Sequence, residues 1–422
     1  MNRKRPQIWF IPSLLLLLSA ALPAQTHWTG TWATSQQLAE PNNSLAADDL
    51  QDVTLRQIVH VSIGGSRLRV HLSNRFGTAP LYFNAVHIAR PVTPKSADIT
   101  AASDTALTFS GRPDVTIPAG ADYFSDPVNF SIAPLSDLAI TIRADSLPQR
   151  QTGHPGSRAT SYIAHGDLVS AVELPGAKNV DHWYFIEGVD VEAPAGAAAV
   201  VVLGDSITDG HGATTNGNDR WPDVLARRLQ ADKKLHGLAV LNHGIGGNRL
   251  LLDGLGPNAL ARVDHDIIAQ PGVRYVIVLE GINDIGTLSR TAEVSVAEHE
   301  SLVRRMIAAY EQIVERAHTH GIKVYGATIL PFVGSDYYHP KAAAEADRQA
   351  VNEWIRARGH FDAVVDLDKL TRDPAQPDRL LPKFDSGDHL HPSPAGYQAM
   401  GEAVPLAWFA QTSPAARSAS RK

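Results

Sequence analysis

Four stretches of this chain carry residue types able to perform nucleophilic chemistry. In the first, Gly204–Gly210 (GDSITDG), Ser206 follows an apolar run from Ala197 to Leu203. That run reads as a buried parallel strand, and ligands of α/β sheets bind where such strands end. A serine hydroxyl becomes a nucleophile when a base takes its proton. The best base lies in Asp388-His389-Leu390-His391-Pro392, where a tight turn lets Asp388 reach the Nδ1 side of His391 while Nε2 faces Ser206. Two further loops supply donors. In NHGIGGN, Gly247 offers a backbone N–H with no side chain in the way; in EGIND, Asn283 offers a carboxamide. With the N–H of Ser206 they would form an oxyanion hole, and the chemistry such a set performs is acyl transfer.

Neighbouring residues read differently. Asp205 and Asn248 are expected to hold the site's loops in shape; Arg249 reads equally as a substrate contact or an ion pair, and Glu280 reads as a brace more than a ligand for a sugar hydroxyl. An isolated serine after Gly-Asp would ordinarily be a turn or helix cap, and it is the joint pattern that argues otherwise. GIGGN lacks the spacing and the following acid of a dinucleotide loop. His389 and His391 form an i, i+2 pair, but no other cluster has recognisable ligand spacing, so neither metal nor cofactor is expected. Asp264-His265-Asp266 reads as a solvated helix face.

The elements that must position these groups follow from patterning. From residue 198 onward strand and helix alternate, with strands near Ala198–Leu203, Leu238–Asn242, Val273–Leu279, Lys323–Ile329 and Ala363–Leu367. Helices are expected over Ser295–His320, Pro340–Ala357 and Pro394 to about Ala410, and one starts at Trp221-Pro222. This is a doubly wound α/β sheet, flavodoxin-like in order, over 198–410. Residues 26–190 read as an all-β sandwich. Leu55, Gln57, Val59, Val61 and Ile63 alternate, Gly64-Gly65-Ser66 turns, and Leu68, Val70 and Leu72 resume. Leu81–Ile88, Ala106–Phe109, Val115–Ile117 and Leu138–Ile142 read as further strands. Between Glu187 and Ala199 the composition shifts towards Ala, Gly and Pro (EAPAGAAAV), which reads as a linker. In the β region, Thr152–Tyr162 (TGHPGSRATSY) and His182–Phe185 (HWYF) read as loops closing a domain interface more than as sugar platforms. The final segment, 411–422, reads as a disordered tail.

With 422 residues, a formal net charge of −6 and no cysteine, the chain has no basic footprint for nucleic acid and no disulfides. Asn2-Arg3-Lys4-Arg5 followed by the apolar Ile8–Leu22 reads as a signal peptide over 1–24, cleaved after Ala21 or Ala24. The expected product is periplasmic or secreted, without an integral membrane span; an uncleaved anchor is the alternative.

The order GDS, N-x-G-x-x-G, G-x-N-D, D-x-x-H-P resembles the SGNH (GDSL) hydrolase family. Over 28–410, LSNRFGTAPL, LEGINDIG and DSGDHLHPS are similar to two-domain, xylan-esterase-like members. Glu280-Gly281-Ile282 departs from the two glycines common before the asparagine, implying a differently shaped site near Glu280. The resemblance implies that Ser206, Gly247, Asn283 and His391, with Asp388, form the catalytic set of a serine esterase. It further implies acylated carbohydrate, such as acetylated xylan, as substrate. A short-chain lipid or aryl esterase is the alternative, and a non-catalytic carbohydrate-binding surface protein the alternative from another class.

Overall fold

The computed structural model describes residues 26–410. The expected signal peptide and C-terminal tail lie outside the described residues.

The N-terminal region is built from antiparallel sheets. In one, the order is Thr26–Ala33, Ile186–Pro194, Gly65–Ser73 and Val128–Ile132, with Asp122–Phe124 also pairing with Gly65–Ser73. A six-stranded sheet centres on Gln51–Val61 and Ser136–Ser146. Leu55, Val59 and Val61 from the larger sheet and Leu68, Val70 and Leu72 from the other are buried in one core, as the alternation requires. The stretch around Gly64 does not make a hairpin, because the strands on either side of it belong to different sheets. The corner is instead pinned to the first strand: Ser62 N–H donates to Thr31 O at 2.9 Å, and Ile63 N–H to Thr31 Oγ1 at 2.9 Å. Gly64 is required there, since a Cβ would lie 2.5 Å from Ile132 O.

Two other expected strands are shorter or broken. Leu81–Ile88 divides at Asn84, whose N–H donates to Arg143 O and whose side chain bridges to Asp145. The halves Leu81–Phe83 and Ala85–Ala89 enter different sheets. Ala106–Phe109 retains only Thr105–Ala106 as strand, because Phe109 turns back on Arg112. The presumed linker is mostly strand: Ile186–Pro194 pairs along its length with Thr26–Ala33, so only Ala195-Gly196-Ala197 connects the regions.

The C-terminal domain is a five-stranded parallel sheet in the order Leu238–Gly244, Ala198–Gly204, Val273–Leu279, Lys323–Ala327, Ala363–Val365. By sequence this is 2-1-3-4-5, the flavodoxin-like order, and its switch point lies between the first and third strands. Every residue of Ala198–Gly204 is buried, which explains the unbroken apolar run. Gly204 is in register with Gly244 on one side and Leu279 on the other, so three loops leave the sheet at one edge. The helix Val296–Thr319 starts with a capping box between Ser295 and Glu298 and buries Leu302, Met306, Tyr310 and Ile313.

The two regions share polar contacts. Arg262 donates to Ser35 Oγ at 2.9 Å, to Asp266 at 2.7 Å and to the carbonyls of His243 (2.7 Å) and Gly204 (3.0 Å). Of Asp264-His265-Asp266, only Asp264 faces solvent. His265 reaches across to Glu187 and Asp122 of the β region, and Asp266 is buried against Arg262 and Ser35.

Candidate active site

Ser206 opens a single-turn helix, Ser206–Asp209, immediately after the central strand. Asp205 caps it, accepting from Ile207 N–H at 2.9 Å, and Gly210 ends it at φ +99°. The preceding Gly204 has no alternative: a Cβ would sit 2.2 Å from Thr208 Oγ1 and 2.5 Å from Leu279 O. The turn thereby holds the Ser206 hydroxyl at the sheet's edge, largely buried at 8% exposure but lining a cavity.

Ser206 Oγ lies 2.8 Å from His391 Nε2, and His391 Nδ1 lies 2.6 Å from Asp388 Oδ2. The carboxylate places the ring proton on Nδ1, leaving the Nε2 lone pair to accept from the serine. Burial opposes the charge on Asp388, but the His391 ring and the N–H groups of His391 and Leu390 outweigh it, holding the carboxyl well below its usual range. The D-x-x-H spacing is what allows Asp388 to take both the ring of His391 (2.6 Å) and its backbone N–H (2.9 Å). His389, though close in sequence, turns to another acid: its Nδ1 is 2.5 Å from Asp385.

Gly247 and Asn283 come to the same cavity from the two neighbouring strands. Gly247 has φ +74°, and a Cβ would lie 2.5 Å from Leu255 Cδ1. Asn283 accepts from Tyr338 Oη at 2.6 Å and donates one amide hydrogen to Asn248 O at 2.7 Å. Both partners orient the carboxamide, and its second N–H remains for a ligand.

The four flanking residues sit behind this wall. Asp205 and Glu280 are buried, and burial drives both carboxyls upward; Glu280 Oε2 has no hydrogen-bond partner among the described residues and lies 3.8 Å from Arg262. Asn248 Oδ1 accepts from Arg262, while its amide donates to the carbonyls of Leu255 and Pro257. Arg249 donates to the carbonyl of Asp253 within its own loop. None of the four lines the cavity.

Sequence reasoning did not foresee what the β region contributes. His154 Nε2 lies 2.8 Å from Asp209 Oδ1, and Asp209 Oδ2 accepts from Gly246 N–H at 3.1 Å, so a β-region histidine steadies the loop carrying Gly247. Gly156 makes room for that pair, since a Cβ would lie 1.8 Å from Asp209 Oδ2. Gln37, Glu40, Asn43 and Arg158 complete one side of the cavity, whose volume is about 580 Å³; Tyr337 and Tyr338 stand on another side. His211 also lines it, with its ring 4.0 Å from that of His391. Burial, His391 and Arg158 together bring the His211 pKa down to about 4. The only available signal was the loop TGHPGSRATSY, rich in His and Arg.

Among the described residues, two groups have metal-ligating types close together, His211/Asp388/His391 and Asp122/Glu187/His265, each with ligand atoms within 4.8 Å of one another. Both nitrogens of His391 and of His265 already face carboxylates or a hydroxyl, and Nδ1 of His211 faces the Arg158 guanidinium.

A buried hydroxyl, an oriented imidazole and convergent donors meet at the edge of a flavodoxin-like sheet, the set of groups that nucleophilic acyl transfer requires. Residues 202–399, within the C-terminal domain, match the GDSL-like Lipase/Acylhydrolase family. Among solved structures it is similar to a GDSL-like lipase from Bacteroides thetaiotaomicron, at 20% identity over 50% of this chain and 87% of that one, with a TM-score of 0.37. It is similar to the aryl esterase of M. smegmatis at 16% identity, covering 49% and 96% of the two chains, TM-score 0.37. The acetyl xylan esterase AlAXEase is likewise similar, at 16% identity over 51% of this chain and 100% of that chain, TM-score 0.37. The comparison with curated proteins finds no match. No helix among the described residues is long and apolar enough to cross a membrane.

Proposed function

We propose that this protein is an exported serine esterase that removes acetyl or other short acyl groups from polysaccharide or oligosaccharide such as xylan. The observation that carries the reading is the continuous chain from Ser206 Oγ through His391 to Asp388, opening into a cavity. His391 Nε2 takes the serine proton as Oγ attacks the ester carbonyl, and Asp388 stabilises the imidazolium that forms. The N–H groups of Ser206 and Gly247 and the Asn283 amide receive the negative charge on the carbonyl oxygen. His391 then returns the proton to the leaving alcohol, and water, activated by the same base, releases the acid from Ser206. The polar side chains that the β region brings to the cavity, Gln37, Glu40 and Asn43, support a hydroxyl-rich alcohol half. The N-terminal charge and hydropathy pattern supports export.

Turnover of nitrophenyl acetate by wild type and Ser206→Ala tests the mechanism. The substitution should lower kcat by roughly 10⁴–10⁶ without changing the thermal midpoint. Acetate release from acetylated xylan, set beside nitrophenyl esters of increasing length, tests the substrate. Preference for long acyl chains would refute the carbohydrate reading, and retained turnover in Ser206→Ala would refute the nucleophile.

A further inference from the structure

The wall of the cavity that comes from the β region carries an arginine whose guanidinium has no counter-ion among the described residues. Arg158 makes one hydrogen-bond contact through that group among the described residues, Nη2 to His211 Nδ1 at 3.3 Å, and its Nε is buried with no partner. No carboxylate among the described residues stands within 4.0 Å of it. Buried arginines elsewhere have their donors spent: Arg56 gives its own to Thr141 Oγ1 and to the carbonyls of Ala97 and Ala171, and three others face carboxylates. Arg220 is 2.8 Å from Asp223, Arg262 2.7 Å from Asp266 and Arg348 2.8 Å from Asp368. The nearby acids are otherwise engaged: Asp209 by His154 and Gly246, Asp388 by His391 and Glu40 by Asn43, while Asp336 is exposed.

The backbone beneath Arg158 is set firmly. It adopts φ +49°, a conformation unusual for a side chain of this size, and neighbouring contacts hold it. Its carbonyl accepts from Asn216 N–H at 2.8 Å, Asn216 Oδ1 accepts from Thr160 N–H at 2.8 Å, and Ser157 Oγ donates to Ala159 O at 2.7 Å. A planar fork of donors lining the same cavity as the nucleophile matches a carboxylate, which it can bind through two parallel hydrogen bonds.

We infer that Arg158 forms an anion subsite beside Ser206 and His391, and that the preferred substrates carry a carboxylate next to the scissile ester. This rests on the esterase reading of the same cavity. The carboxylate can belong to the alcohol half, as in an acetylated saccharide bearing a uronic acid, or to the acyl half, as in the half-ester of a dicarboxylic acid. Both sources present the same chemistry to the guanidinium.

The test measures kcat/KM of the full chain on two matched pairs. One is a neutral acetylated xylo-oligosaccharide and its uronic-acid-bearing counterpart; the other is nitrophenyl acetate and nitrophenyl hemisuccinate. Wild type should favour the acidic member of one pair by about tenfold, which also identifies the half that carries the charge. Added salt should shrink that preference. Arg158→Gln should abolish it, and Arg158→Lys, which keeps the charge but not the fork, should retain part of it. If Arg158→Gln does not fold, the wild-type ratio, its salt dependence and the lysine variant decide. Equal rates on both pairs, a preference for the neutral members, or a preference that survives Arg158→Gln would overturn the subsite while leaving the esterase reading intact. Failure to hydrolyse any of the four esters would overturn both.

Discussion

His391 and His265 are built from the same parts and put to opposite uses. His391 has a carboxylate on one nitrogen, Asp388 at 2.6 Å, and a neutral hydroxyl on the other, Ser206 at 2.8 Å. His265 has carboxylates on both: Asp266 at 2.7 Å on Nδ1, with Glu187 at 2.8 Å and Asp122 at 3.1 Å on Nε2. Burial works against a charge on His265, but the three acids outweigh it and push its pKa up to about 12. A ring saturated by anions holds its protons and ties elements together; one with a single anion and an exchangeable partner can pass a proton on. His154 falls between them, with the carbonyl of Ser35 on Nδ1 and Asp209 on Nε2, both at 2.8 Å.

The largest effect expected from breaking this contrast is at Asp388. Asp388→Asn removes the anion that sets the tautomer, and kcat should fall by about 10⁴ while the thermal midpoint changes little, as followed with nitrophenyl acetate. His265→Gln should do the reverse, costing about 3–5 kcal/mol in urea unfolding because it strands buried carboxylates, with kcat nearly unchanged. Because the folded state holds the His265 proton more tightly than the unfolded state, its stabilisation is complete below 6.5 and is lost as pH rises from there towards about 12. The stability gap between wild type and His265→Gln should therefore narrow with alkaline pH; a gap that widens would reject the imidazolium clamp. The smallest effect is predicted for His154→Gln, which loosens Asp209 and hence Gly246: about tenfold in kcat with KM unchanged. An unaltered kcat there would mean that Asp209 holds the loop without help from the β region.

The motifs of Ser206 and Asn283 were legible because each sits where a buried, unbroken apolar run ends, as a two-sided parallel sheet demands, whereas the Asp388–His391 turn, just before the helix Pro394–Ala403, was legible from residue types and spacing alone. Ala198–Gly204 and Val273–Leu279 carry that pattern without interruption. The contributions of His154, Arg158 and Gln37 were not legible, since they depend on how two regions dock, and no local period encodes docking. Asp264-His265-Asp266 misled for the same reason: its polarity suits water, but its partners Glu187 and Asp122 are supplied by distant strands. Leu81–Ile88 has strand composition throughout, and only the Asn84 contacts with Arg143 and Asp145 reveal the break.

The pairing of Thr26–Ala33 with Ile186–Pro194 also bears on the order in which the molecule assembles. Thr26 lies opposite Pro194 and Ala33 opposite Gly188, while Gly30 N–H donates to Pro271 O. During synthesis the first of these strands emerges long before either partner exists. It must wait, unpaired, until the end of the β region and part of the following domain have been made. Contacts this distant in sequence are slow to form and carry a large loop-closure cost, so this strand is expected to dock late. Its arrival covers the edge of Ile186–Pro194 and, through the bond from Gly30 to Pro271, ties the two halves together in one step.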